Sequence, residues 1–418
     1  MFLKSLKLRN IRCFQNIEID FDLPGGDNRK WTVIVADNGD GKTTVLQCIA
    51  LIMAGHDAMV SLLTDVDAWI RVDQQQGQID AEIETARGET RAISLTLNRG
   101  ETPDVVIERS KQSAEPLNAA LEHATRNYLT LAYGTSRRRS RDQARVDEVM
   151  ANYPLPRAQS MASLFSREVP LQPLEPWVAG LFQNNHDEIA ALLARLVSEF
   201  LPEIAYDHMD EAGALYFKTQ DGLVPLHRLS NGYQSLTAFI GDLLFQITNI
   251  FRNYKNPLTA RGLLLIDSVG GDLHPKLQRR LLAFLETQLP RIQLVVTTQS
   301  IVIAQQSPQG ALHYGKRSDA GVVIEAFDGD PRKLRLNQLM MTEAFGDTTY
   351  ESLEVEALKQ RYRELDDQAE LSVADKREMS RIRREVGDVS VDDGAAGFSA
   401  EQMSLLQDVK SLLEDQNK

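Results

Sequence analysis

Residues 2–9 and 17–21 alternate polar and apolar side chains, the period of a half-buried strand, and "WTVIVA" at 31–36 reads as a central strand. Directly after it come "DNGDGKTT" and the apolar helical pattern "VLQCIALIM", so a strand runs through a glycine loop into a helix. "IDAEIE", "RAISLTLN" and "DVVIERS" extend an antiparallel set to about residue 109, and "NYLTLAYG" at 127–134 reads as a buried strand. Between residues 135 and 221 the pattern turns irregular, with a basic cluster, several prolines and helical periodicity in "HDEIAALLARLVSEFL". "SNGYQSLTAFIGDLLFQITNIF" predicts a long helix opened by Ser230, and "GLLLID" predicts a buried strand. "PKLQRRLLAFLETQL" predicts a helix with proline near its start, leading into the buried strand "IQLVVTTQS". From Glu351 the chain becomes charged and mostly helical, with a break at "DDGAAGF" and a capping-box spacing between Ser399 and Gln402.

This pattern divides the chain into a first lobe at 1–134 with the glycine loop, an inserted, mostly helical arm at 135–221, a second lobe at 222–348, and a helical interaction tail at 349–418. The fold class is α/β, a mixed sheet around a loop–helix core. No repeat occurs at solenoid periods.

Composition narrows the class. A hydrophobic fraction of 43% with 25% charged residues is ordinary for a globular chain of 418 residues. The net charge of −13 argues against a protein that coats nucleic acid without sequence preference. Cys13 and Cys48 lie in apolar surroundings and read as small buried hydrophobes in a reducing compartment. The opening "MFLKSLKLRNIRCF" interrupts its apolar residues with Lys and Arg, unlike a signal peptide, and no run approaches the roughly 20 apolar residues of a membrane span. These features predict a soluble cytoplasmic protein. The histidines lack metal-ligand spacing, so no zinc site is expected.

"ADNGDGKT" at 36–43 fits a phosphate-binding loop, with Ala36 in place of its first glycine. Successive backbone N–H groups at Asn38, Gly39, Asp40 and Gly41, followed by a helix N-terminus, offer fixed positive potential to a polyphosphate. Lys42 would reach the β- and γ-phosphates, Thr43 would place its hydroxyl on Mg²⁺, and Thr44 completes the set. The rival reading is a bare glycine turn before a helix.

"NGDGKTT", "LSNGYQSL" and "LLLIDSVGGDLHP" together resemble the phosphate loop, signature and Walker B segments of ABC-type ATPases in the RecF/SMC-like branch, and "LKLRNIRCF" resembles that branch's first hairpin. The resemblance covers residues 1–345. It implies an ABC-type ATPase head that binds ATP and Mg²⁺, with Arg12 near the phosphates and Asp267 holding the Mg²⁺ shell. It also implies a head-to-head dimer or higher oligomer in which Ser230, Asn231 and Gly232 cap ATP bound to the opposite subunit. "YLTLAYGTSRRR", the short middle and "MTEAFG" before a charged tail look like defence-associated ATPases of the Septu and retron-Septu type. That closer likeness implies an antiviral role and a nuclease partner, with the HNH type favoured.

Two positions depart from the resembled pattern. Where the family has a glutamate that polarises the attacking water this chain has Ser268, and where it has a histidine on the γ-phosphate this chain has Gln299. Neither side chain takes up a proton near neutral pH. Asp272 or His274 could act as a substitute base, although Asp272 also suits the loop that crosses between subunits. The expectation is an ATP-binding regulatory or scaffold subunit with slow or absent hydrolysis. Its rivals are an active RecF-like ATPase acting on DNA in repair and a scaffold that no longer uses nucleotide. The basic run "SRRRSRDQAR" at 136–145 suits either a solvated helix start or contact with nucleic-acid phosphates or an acidic partner. Leu358, Tyr362 and Leu365 form a narrow apolar stripe for packing against another helix.

Overall fold

From the N-terminus, β1 (Phe2–Ile11) and β2 (Phe14–Asp20) form a hairpin, β3 (Trp31–Val35) enters the glycine loop, and β4 (Gln76–Glu84) and β5 (Thr90–Asn98) form a second hairpin. The two hairpins join as an antiparallel sheet of order β2-β1-β4-β5. Alternation along β1 is reset by a bulge between Leu3 and Ser5, so that Leu3, Leu6 and Leu8 are all buried although Leu3 and Leu6 are three residues apart. The structure is a computed structural model that describes residues 2–22, 29–85, 88–111, 128–140, 142–251, 256–271, 273–318, 321–346, 352–366 and 372–386.

The central sheet adds β6 (Tyr128–Tyr133), β10 (Arg261–Ile266), β11 (Ile292–Thr298), β12 (Leu312–Ser318) and β13 (Gly321–Ala326), in the order β13-β12-β3-β11-β10-β6. Every pairing in it is parallel except β12 with β13. Parallel strands are covered on both faces, which is why "GLLLI" reads as an unbroken apolar run. Leu263 and Leu265 enter the core beneath the glycine-loop helix, whereas Leu264 and Ile266 enter the core on the opposite side. That helix, Lys42–Leu62, lies in the core shared with the antiparallel sheet. Gln293 ties the two sheets, accepting from Leu3 N at 2.8 Å and donating to Leu3 O at 3.0 Å. By length and mean hydropathy the helix Lys42–Leu62 is apolar enough to cross a bilayer, although Lys42, Gln47, His56 and Asp57 interrupt its apolar residues; most of the apolar residues are buried in the core, and Val60 is exposed.

Two further expectations are corrected. "DVVIERS" is helical, within a helical segment at 103–111, and buries Val106, Ile107 and Ser110 while Val105 is exposed, a helical rather than an alternating pattern. The region between 135 and 221 holds helices Leu174–Gln183 and Asp187–Phe200 as expected, but also contributes to a three-stranded meander, β7 (Ala205–Met209), β8 (Leu215–Thr219) and β9 (Gly222–Pro225). Part of its signal was present: Tyr216 and Phe217 are strand-favouring residues, and Asp221-Gly222 is a strong hairpin dipeptide.

Residues 1–348 form one compact unit and 349–418 a second. In the second, helices Leu353–Asp366 and Val373–Val386 are joined by an Arg361–Glu378 ion pair at 3.2 Å, and Leu365 of the apolar stripe is fully buried. "DDGAAGF" and the Ser399–Gln402 spacing lie outside the described residues.

Candidate nucleotide-binding site

The loop between β3 and helix Lys42–Leu62 turns on Gly41, which caps the helix at φ 78 with no side-chain acceptor. A Cβ there would lie 2.4 Å from Phe14 Cζ and 2.5 Å from Cys13 Sγ, so the hairpin turn between β1 and β2 requires glycine twice over, for conformation and for space. Without a capping side chain, the amides of the first helical turn are left to serve an anion. The Lys42 ammonium folds over the loop, donating to Ala36 O at 2.6 Å and Asp37 O at 2.8 Å. Its pKa is lowered by desolvation, and the carboxylates of Asp267, Asp40 and Asp37 oppose that shift.

Asp267 ends β10 with 2% exposure, and each of its oxygens has a hydroxyl donor. Thr43 donates to Oδ2 at 2.6 Å and Thr297 donates to Oδ1 at 2.5 Å. Thr297 Oγ1 in turn accepts from Ser268 N at 2.8 Å. A hydroxyl and a carboxylate side by side are hard oxygen donors, the chemistry Mg²⁺ takes when phosphates and water complete its shell. Among the described residues there is no group of three or more His, Cys, Asp or Glu that could hold a metal ion.

Ser268 is partly exposed and sits in the left-handed region at φ 50. Gln299, just after β11, donates from Nε2 to Asn38 Oδ1 at 2.5 Å, so it lies directly on the loop. Asp272 lies outside the described residues; His274 caps the helix Pro275–Gln288, accepting from Lys276 N at 3.3 Å. Arg12 stacks over Trp69 with its guanidinium carbon 4.1 Å from the ring centroid, and reaches Gln47 Oε1 at 2.7 Å and Thr44 Oγ1 at 3.3 Å. It therefore abuts the first turns of the loop helix.

The signature turn is separate. Ser230 caps helix Asn231–Ile250, accepting from Tyr233 N at 3.4 Å, and Ser230 and Asn231 are exposed. Among the described residues, Ser230, Asn231 and Gly232 make no hydrogen bond to residues 36–44. The helix is tied to the sheet through buried Asp242, which accepts from Tyr133 Oη at 2.6 Å and from Gln172 N at 2.8 Å. Burial pushes the Asp242 carboxyl up to about 6.

Sequence reading missed three participants. Arg137, from the basic run, donates to the carbonyls of Asp267 at 2.8 Å and Ser268 at 3.0 Å, bracing the end of β10. With Arg138, Arg139, Ser140, His227 and Gln234 it lines a cleft of about 530 Å³. Thr297 was visible only as part of a buried strand. Arg317 on β12 grips Asp40 in the loop, at 2.6 and 2.9 Å. The clue was Asp40 itself, since an acidic residue in an anion-binding loop calls for a cation.

A parallel sheet with a glycine loop after one strand, an aspartate after a neighbouring strand and a separate serine-capped signature helix defines an ABC-type ATPase head. Family models described as "AAA domain" and "AAA domain, putative AbiEii toxin, Type IV TA system" match residues 5–146 and 181–304. The chain is an ABC-type ATPase of the RecF/SMC-like branch, related to defence-associated ATPases. It is 25% identical to Septu protein PtuA of Bacillus mycoides (strain KBAB4) over 300 residues, 72% of this chain and 38% of the relative. It is 37% identical to the Retron Ec83 probable ATPase of Escherichia coli over 73 residues, 18% of this chain and 14% of that one. Over 67 residues it is 37% identical to the DNA replication and repair protein RecF of Rickettsia typhi (strain ATCC VR-144 / Wilmington), 16% of this chain and 17% of that one. The chain thus spans well under half the length of these relatives.

Proposed function

We propose that this chain is an ATP-binding regulatory subunit of a cytoplasmic antiviral defence complex, in which nucleotide occupancy sets the state of a partner nuclease and hydrolysis is slow or absent. One observation carries the reading: Thr43 and Asp267 meet at 2.6 Å beside the phosphate loop, while the adjoining Ser268 and Gln299 offer no group that takes up a proton near neutral pH. The residues of the grip are together, and positions 268 and 299 supply no base. Backbone amides of 38–41 and the Lys42 ammonium would hold the phosphates. Mg²⁺ held by Thr43 and Asp267 would neutralise phosphate charge. The exposed Ser230 and Asn231, with the half-buried Gly232, would cap ATP on a second copy, which favours a head-to-head dimer. The relation to Septu and retron proteins supports the defence role, and an HNH-type nuclease is the partner the sequence resemblance favours.

The test uses the purified chain, alone and with the product of the neighbouring gene. Wild type should bind Mg²⁺–ATP and Lys42→Ala should bind at least about tenfold more weakly, since a point charge on the phosphates is lost. DNA cleavage by the pair should change with ATP for wild type and not for Lys42→Ala. Equal ATP affinity in both proteins, or cleavage indifferent to ATP, overturns the reading. Phosphate release at several per second would mark an ordinary ATPase cycle instead.

A further inference from the structure

The phosphate loop carries an unusual burden of negative charge. Asp37 and Asp40 lie within it and Asp267 faces Thr43, against the single ammonium of Lys42 in the loop. Asp37 is exposed to water, but Asp40 is 5% exposed, so its charge is not screened by solvent. A carboxylate buried among amides meant for a polyphosphate competes for those amides and repels the ligand. Something has to hold it aside.

Arg317 is placed to do so. Its Nε and Nη2 both donate to Asp40 Oδ1, at 2.9 and 2.6 Å, and Nη2 also donates to Gly39 O at 3.0 Å. The guanidinium therefore holds both the carboxylate and the backbone of the preceding loop residue. The strand that brings it there is fitted to the loop. β12 runs parallel to β3 with Tyr314 opposite Val35, which sets the following Gly315 against Ala36. A Cβ on Gly315 would lie 2.6 Å from the Ala36 Cβ. The methyl group that replaces the loop's first glycine is thus accommodated by a glycine on β12, and Arg317, two residues on, reaches Asp40.

We propose that Arg317 is a positioning residue for nucleotide binding: it acts through Asp40, drawing that carboxylate and the Gly39 carbonyl away from the anion position so that the loop amides stay open to a polyphosphate. The inference rests on the nucleotide-binding reading above. It assigns no direct phosphate contact to Arg317.

The experiment is equilibrium binding of Mg²⁺–ATP to wild type, Arg317→Ala, Arg317→Lys, Asp40→Asn and the double variant Arg317→Ala with Asp40→Asn, with Lys42→Ala as the blank and melting without nucleotide as the folding control. Arg317→Ala should weaken ATP binding by about tenfold, because it releases the Asp40 carboxylate in an anion site; the Arg317 side chain is itself 57% exposed, so the pair is partly screened and a larger loss is not expected. Asp40→Asn removes the buried charge, so on that background the loss of Arg317 should matter little: the double variant should bind within about threefold of the Asp40→Asn single variant, whatever that variant's own affinity. Arg317→Lys should fall between, since an ammonium cannot bridge Asp40 and Gly39 O as a planar fork does. If Arg317→Ala does not fold, the same comparison is read on Arg317→Lys. Wild-type affinity in Arg317→Ala overturns the proposal. So does a double variant about tenfold weaker than Asp40→Asn, which would place Arg317 on the phosphate itself. Those results with Lys42→Ala still defective leave the nucleotide-binding reading standing; wild type and Lys42→Ala binding alike would remove both.

Discussion

Installing a carboxylate at Ser268 tests the proposal that the site holds ATP without turning it over. The backbone is already prepared for it. Ser268 sits at φ 50, a conformation that costs an L-residue roughly 1–2 kcal/mol. Serine and glutamate share that cost, so Ser268→Glu adds little strain. The residue is pinned by Thr297 Oγ1 on its amide at 2.8 Å and by Arg137 on its carbonyl at 3.0 Å, while its side chain is partly exposed. The variant should therefore fold within about 1 kcal/mol of wild type, as surface substitutions generally do. A positioned general base contributes about 10²- to 10⁴-fold, or ~3–5 kcal/mol of barrier. The full gain is not expected, because Gln299 remains bonded to Asn38 at 2.5 Å and contributes no proton acceptor. The expected result is a ~10- to 100-fold rise in single-turnover phosphate release. Lys42→Ala serves as the blank and Ser268→Gln as the control for side-chain length. Adding Gln299→His should raise release further, and not additively, since both side chains act on one phosphate. Release from Ser268→Glu no faster than from Ser268→Gln would refute the assignment of position 268. Wild-type release at several per second would show that another residue, with Asp272 the leading candidate, serves as base.

Gly315→Ala should destabilise the fold by about 1–3 kcal/mol in urea unfolding, because its Cβ would meet the Ala36 methyl at 2.6 Å, and Ala36→Gly should restore most of the loss; wild-type stability in Gly315→Ala would refute the fit between β12 and the loop. Asp242 supplies a pH prediction: with its folded pKa raised to about 6 from 3.8, the folded state keeps a proton that the unfolded chain has released over this window. Its contribution to stability is thus full below about pH 4 and falls as pH rises through about 6, by about 3 kcal/mol at ~1.4 kcal/mol per pH unit. The stability of wild type relative to Asp242→Asn should fall by that order between about pH 4 and 7, and parallel pH profiles would rule out the burial argument.

The strand–loop–helix segment and the strand ending at Asp267 were legible in the sequence because their signals are local. A strand, a glycine loop and a helix announce themselves by composition and period within about twenty residues, and "GLLLID" ends on its aspartate whatever the rest of the chain does. Those segments specified the α/β class, and the ABC-type head followed from the family they resemble. Local patterns misled where more than one period fitted, as in "DVVIERS", whose adjacent valines and isoleucine suit a strand until burial of Val106, Ile107 and Ser110 selects the helix. What only the tertiary structure decided is the pairing of charges and hydroxyls that lie far apart in the chain. Thr43 and Asp267 are 224 residues apart, and Arg317 and Asp40 are 277 apart. Nothing in the neighbourhood of "GKRS" marks Arg317 as the partner of the loop, because an arginine near the end of a strand reads the same in the sequence whether or not a buried carboxylate lies beside it. The six-stranded order β13-β12-β3-β11-β10-β6 makes the difference. By laying β12 beside β3 it brings the partly exposed Arg317 side chain to the buried Asp40 carboxylate, which would otherwise lack a countercharge.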